Sequence, residues 1–85
     1  MNQAIQFPDR EVWDEARQCI AFPALVNGMQ LTCALTLTGL KKRFGGEDPA
    51  QWLAAFREHR WDLEDEAQEL ILDQQEDAQG WIWFS

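Results

Sequence analysis

The stretch Cys19-Ile20-Ala21-Phe22-Pro23-Ala24-Leu25-Val26-Asn27-Gly28-Met29-Gln30-Leu31-Thr32-Cys33-Ala34-Leu35-Thr36 decides the fold. Asn27-Gly28 separates two apolar runs, and a two-residue type I′ turn needs positive φ at both of its central positions, which Asn and Gly tolerate. Turning the chain there sets Val26 opposite Met29, Ala24 opposite Leu31, Phe22 opposite Cys33 and Ile20 opposite Leu35. All eight are apolar, and all lie on one side of the pleat. The other side pairs Leu25 with Gln30, Pro23 with Thr32, Ala21 with Ala34 and Cys19 with Thr36, a mixed set. A slip of one residue would turn the apolar set to the wrong side, so the register is strongly specified.

Two corollaries follow from the pleat. Pairs next to a two-residue turn are hydrogen-bonded and the pairing alternates, so position 23 faces away from its hairpin partner. Proline is tolerated there only at an edge or an interruption. The first arm, residues 17–26, is therefore expected at a sheet edge, or irregularly paired beyond Pro23. Cys33 shares the apolar face with Phe22 whereas Cys19 points to the other side, so no disulfide between them is expected. Two free thiols suit a reducing cytoplasm.

Outward from the hairpin, Ile5-Gln6-Phe7-Pro8 resembles Ile20-Ala21-Phe22-Pro23, and both read as strands ending at a proline. Residues 8–16 read as a loop anchored by Trp13. Thr38 is expected to cap a short helix through Phe44, with Gly45-Gly46 as its stop. Asp48-Pro49-Ala50-Gln51 is a helix start with a capping aspartate, a first-turn proline and a glutamine reaching back. Trp52, Ala55, Phe56 and His59 then fall on one face. A further helix is expected from Asp62, with Leu63, Ala67, Leu70 and Ile71 inward, fading by Gln79 before Gly80. Its acidic first turn suits the helix dipole. Trp81-Ile82-Trp83-Phe84 reads as a last strand that must pair, because an exposed aromatic edge would aggregate. The expected fold is α+β: a small, mostly antiparallel sheet of three N-terminal strands plus a C-terminal strand, with two or three helices on one face, in a single domain over residues 1–85.

Composition bounds the function. Among 85 residues the net charge is −8, and it is unevenly placed. Residues 1–45 carry four acids and five bases, whereas residues 46–85 carry eleven acids and only Arg57 and Arg60 as bases. Such a chain is disfavoured as a nucleic-acid partner, since phosphate binding needs a basic surface. No run of about eighteen apolar residues is present, so no membrane-spanning helix is expected. Met1 to Gln6 shows no basic stretch leading into an apolar run, so no export leader is expected and the chain reads as cytoplasmic.

The catalytic inventory is thin. Ser85 is the only serine and there is no tyrosine, which disfavours a serine triad. The lone histidine, His59, lies on an apolar helix face, where packing or ending the helix is its commoner role. No cysteine or histidine spacing matches zinc, the acids at 62–69 do not form a calcium loop, and Gly45-Gly46 is no phosphate cradle. No metal or cofactor is expected. Lys41-Lys42-Arg43 is the only basic run. It is the candidate phosphate contact, although three bases at a helix C-terminus also complement the dipole. The five tryptophans (13, 52, 61, 81 and 83) are mostly expected in the core. Trp81 and Trp83 share one side of their strand and are the candidates for a partner surface.

Phe22-Pro23-Ala24-Leu25-Val26-Asn27-Gly28, Trp52-Leu53-Ala54-Ala55-Phe56, Arg60-Trp61-Asp62 and the aromatic tail together resemble the small bacterial proteins of domain of unknown function family 1488. The similarity runs from about Ile5 to Phe84. It implies a compact α+β domain in the bacterial cytoplasm and carries over no reaction, cofactor or site residue. The expectation is a non-enzymatic interaction or regulatory module, open to self-association or an unknown protein partner. One rival is a nucleic-acid-binding regulator using Lys41, Lys42, Arg43, Arg57 and Arg60. The other is a small enzyme using His59 or Cys33.

Overall fold

In the computed structural model, which describes residues 5–85, the hairpin forms the centre of the sheet. Asn27 and Gly28 have φ of 52° and 81°, the positive pair that the turn requires. Strand β3 (Cys19–Val26) pairs with β4 (Met29–Thr36) in the expected register, from Val26 opposite Met29 to Cys19 opposite Thr36. Residues 1–4, part of the segment without a leader pattern, lie outside the described residues.

β3 is not an edge strand. Its other flank carries β1 (Ile5–Gln6) and β2 (Val12–Asp14), and β4 carries β5 (Trp81–Phe84). The second expectation for Pro23 holds instead. β1 pairs with Val26 and Leu25, β2 pairs with Ala21, Ile20 and Cys19, and Pro23 falls in the interval between them. The missing proline N–H thus coincides with an interruption of the ladder. β2 also corrects the reading of residues 8–16 as a loop. A strand of three residues is too short to show alternation, and it is secured by Trp13, whose ring lies 4.9 Å from that of Trp52.

β1 to β4 are antiparallel, and β5 joins β4 in parallel after a crossing through three helices. The sheet is therefore mixed, with four strands rather than three before the helices. Helix α1 (Leu37–Phe44) is capped by Thr36, not Thr38: the Thr36 hydroxyl accepts from the Gly39 N–H at 3.1 Å. Helix α2 (Pro49–Glu58) starts as its sequence indicates, the Asp48 carboxylate accepting from the Gln51 N–H at 2.9 Å. The Gln51 side chain reaches back one residue further than expected, to the Glu47 N–H.

Helix α3 (Arg60–Leu72) starts before Asp62 and stops well before Gln79. Gln74 takes a left-handed φ of 58°. The Gln74 and Gln75 N–H groups bond to the Ile71 and Leu70 carbonyls, which is a Schellman closure. Glutamine is an uncommon residue for that position, so the stop is invisible to composition. All three helices pack on the Phe22 side. Leu40, Trp52, Phe56, Leu63, Ala67 and Ile71 join Ile20, Phe22, Ala24, Cys33, Leu35 and Ile82 in one core.

Candidate functional site

The register of β5 places its side chains. Ile82 lies beside Cys33, and so faces the core. Trp81 and Trp83 lie beside Thr32 and Ala34 on the opposite face, which carries no helix. There the two indoles stack on each other, with centroids 5.4 Å apart and planes at 21°. Arg17, from the β2–β3 turn, lays its guanidinium 4.7 Å from the Trp81 ring, an attractive cation–π distance. Arg17 is itself held by Asp14 at 3.1 Å. Asp14 also accepts the Arg17 backbone N–H, and that bond, with the ion pair, draws its carboxyl below the usual range.

Asp77 fixes the other end. Its carboxylate accepts the Trp81 and Gln79 backbone N–H groups, each at 2.9 Å, and the Trp83 indole N–H at 3.2 Å. These bonds, the Trp81 N–H first, lower its pKa against a smaller opposing effect of burial. The result is a continuous row, Asp14–Arg17–Trp81–Trp83–Asp77, along the bare face of the sheet. Cys19, Ala21 and Ala34 on that face are nonetheless buried, short side chains overtopped by tall neighbours. Where the Pro23 flank is unpaired, a shallow recess of about 240 Å³ opens beside Val12, Pro23 and Thr32.

The same loop guards the strand edge. The Gly80 carbonyl accepts from the Thr32 N–H, so in a parallel ladder residues 80, 82 and 84 face β4, and 81 and 83 face outward. Trp81 has both outward groups occupied: its N–H by the Asp77 carboxylate and its carbonyl by the Asp77 N–H at 2.8 Å. That leaves the Trp83 backbone as the open part of the edge, a length too short to template a strand.

The basic residues do not gather into a phosphate site. Arg43 donates to both oxygens of Glu66, at 2.5 and 2.8 Å, and to the Ser85 carbonyl at 2.6 Å. Arg57 meets Glu11 at 2.7 Å. Arg60 meets Glu11 at 2.7 Å, Asp9 at 3.3 Å and Glu64 at 3.7 Å. Of the five bases considered, only Lys41 and Lys42 have no carboxylate at ion-pair distance among the described residues. The Lys41 ammonium lies 5.8 Å from the Trp52 ring.

The candidate nucleophiles are likewise sequestered. Cys33 has no solvent exposure, and burial, helped by the Glu64 charge, pushes its thiol up to about 12. Burial and the Asp14 charge push the equally buried Cys19 up to about 11. Neither forms the thiolate that attack requires near neutrality. His59 ends α2. It is the joint between α2 and α3, half-buried, with its ring stacked on Phe44 at 4.6 Å. A hollow of about 360 Å³ at that joint is lined by Arg57, Glu58, His59, Arg60, Trp61 and Asp62. Among the described residues, no three His, Cys, Asp or Glu side chains gather as a metal site, and no helix is long and apolar enough to cross a membrane.

The shared face of Trp81 and Trp83 is readable in the sequence, whereas Arg17 and Asp77, which the structure sets beside them, are not. Asp77 stands three residues before Gly80, a turn pattern that could have marked it. Arg17 carries no such signal, because its role depends on the sheet bringing β5 beside it. The core reading also fails for Trp61, which is 83% exposed.

A mixed five-stranded sheet with three helices on one face is an α+β architecture. The family model described as "Protein of unknown function (DUF1488)" matches residues 5–84, and the chain belongs to that family. It is 68% identical over 84 residues to the "Uncharacterized protein YrdB" of Escherichia coli strain K12, covering 99% of both chains. The protein of the same description from Shigella flexneri matches with equal identity and coverage. The crystal structure of a protein of unknown function from the DUF1488 family of Shewanella loihica PV-4 superposes with a TM-score of 0.92 at 31% identity. That match covers 99% of this chain and 94% of the other.

Proposed function

We infer that this protein is a non-enzymatic interaction or regulatory module of the cytoplasm, and that the bare sheet face is where a protein partner or a second copy binds. The observation that carries this reading is the pre-ordered row of Arg17, Trp81 and Trp83. Large aromatics already held in place give up little rotamer freedom on binding, and Trp and Arg are enriched among residues that dominate interface energies. Trp83 keeps 42% of its surface exposed while its indole N–H is already bonded, so covering the ring costs no unsatisfied donor. The rival readings have less to stand on. Arg43, Arg57 and Arg60 are held by carboxylates, and the two thiols are buried.

Sedimentation velocity and affinity capture from lysate, run in parallel on the parent, Trp83→Ala and Arg17→Glu, test this reading. The expected result is a dimer or a captured partner that both variants lose. A strictly monomeric parent whose captured proteins match those of Trp83→Ala would remove it.

A further inference from the structure

On the opposite side of the molecule, α3 presents an outward strip that the sheet-face reading does not use. At 100° per residue, the buried Leu63, Ala67 and Ile71 define its inner side. Trp61, Asp65 and Leu72 fall on the outer line, with Asp62 and Glu69 beside them. Trp61 is 83% exposed and Leu72 53% exposed. They stand three turns apart, about 16 Å along the axis, with carboxylates between them. The acids on the flanks of α3 each have a cation at ion-pair distance, Glu64 the Arg60 it shares with Glu11 and Asp9, and Glu66 Arg43. Asp62, Asp65 and Glu69 have no cation at ion-pair distance among the described residues. The hollow at the α2–α3 joint lies beside Trp61 and brings Glu58 and Asp62 to its rim, while the two arginines that line it are engaged by Glu11.

We propose that the outer strip of α3 docks a cationic polypeptide segment. Lysine or arginine side chains of the partner lie over Asp62, Asp65 and Glu69, and apolar side chains cover Trp61 and Leu72. Charge selects this occupant. Two copies meeting through this strip would set Asp62, Asp65 and Glu69 of one against those of the other, and nucleic acids and anionic lipid surfaces are repelled for the same reason. Attraction of opposite charges speeds the encounter, and the two apolar ends supply register and specificity.

The probe is a fluorescein-labelled synthetic peptide of Leu, Lys and Arg with its apolar residues at helical spacing, compared with a scrambled peptide of the same composition. Fluorescence anisotropy is measured at low and physiological salt. The patterned peptide is expected to bind more tightly than the scrambled one, and more weakly as salt rises. Trp61→Ala and Asp65→Lys, both at exposed positions, are each expected to weaken it at least about fivefold. Trp83→Ala is expected to leave it unchanged, which separates this strip from the sheet face. Equal binding of both peptides, unchanged affinity in Trp61→Ala, or a Trp61-dependent dimer without peptide would each overturn the proposal, the last in favour of a second copy.

Discussion

Gly39 and Ser85 touch so closely that a Cβ on Gly39 would come within 2.5 Å of the Ser85 Cα. The contact seats the end of β5 against the first turn of α1. The Thr36 hydroxyl that caps α1 also lies 2.7 Å from the Ser85 hydroxyl. Gly39 has negative φ, so the demand for glycine here comes from space and not from backbone conformation.

Gly39→Ala is therefore expected to reverse the usual sign of its substitution. In an open helix the change gains about 1 kcal/mol. Here the obstacle is backbone, which cannot rotate away, and overpacking of this kind costs about 1–3 kcal/mol. Thermal or urea unfolding should show a destabilised variant. A more stable Gly39→Ala would mean that residues 84–85 detach in solution.

Glu11 should make stability depend on acid pH. Burial alone would raise its pKa, but hydrogen bonds and charge from Arg57 and Arg60 outweigh that and hold it at about 2, against 4.5 for the free group. A lowered folded-state pKa contributes stability that is fully present above the unfolded value and is lost as pH falls toward the folded one. The loss should therefore fall between about pH 4.5 and pH 2. Glu11→Gln should cost about 2 kcal/mol at pH 7 and flatten the acid limb of the stability profile. Because Glu11 sits between β1 and β2 while both arginines border the α2–α3 joint, the test also reports whether those parts unfold together.

Cys33 and Cys19 should resist thiol reagents in the folded protein. With thiols pushed up to about 12 and 11, and no exposed surface on either, both should react with an aromatic disulfide at pH 8 only as fast as the protein opens. In denaturant both should react at once. Rapid labelling of Cys33 in the native state would revive the enzyme reading through that residue.

The hairpin was legible because turn chemistry and apolar alternation select the same register. Asp48-Pro49 was legible because a cap acts within three residues. The features that escaped depend on contacts distant in sequence. β2 is three residues long and exists because β3 offers a free flank below Pro23. Thr36 caps α1 because the preceding strand runs straight into the helix, a junction that a cap at Thr38 would have split. α3 ends at a left-handed glutamine where glycine is the usual marker. At the candidate site, the shared side of Trp81 and Trp83 follows from the period of two. The Arg17 stack required a parallel β4–β5 pairing that no local pattern encodes.

Asp77 offers the closing test of the bare face. The Asp77 carboxylate bonds both the loop before β5 and the Trp83 indole, so Asp77→Ala should free the indole and loosen the loop, which keeps only its backbone bonds, while leaving the helix layer intact. In solution NMR, the Trp83 indole N–H resonance should move upfield and exchange faster with solvent. Asp77→Asn should fall between the two, since its amide oxygen can still accept but carries no charge. The lowered pKa of Asp77 adds a pH signature. The loop should stay ordered above the carboxylate's unfolded pKa and loosen as pH falls through its folded value. Released, Trp81 would present its N–H to solvent beside that of Trp83 and lengthen the open edge of β5, so Asp77→Ala should also self-associate at concentrations where the parent does not. An unchanged indole resonance in Asp77→Ala would show that Trp83 is held by its stack on Trp81 alone.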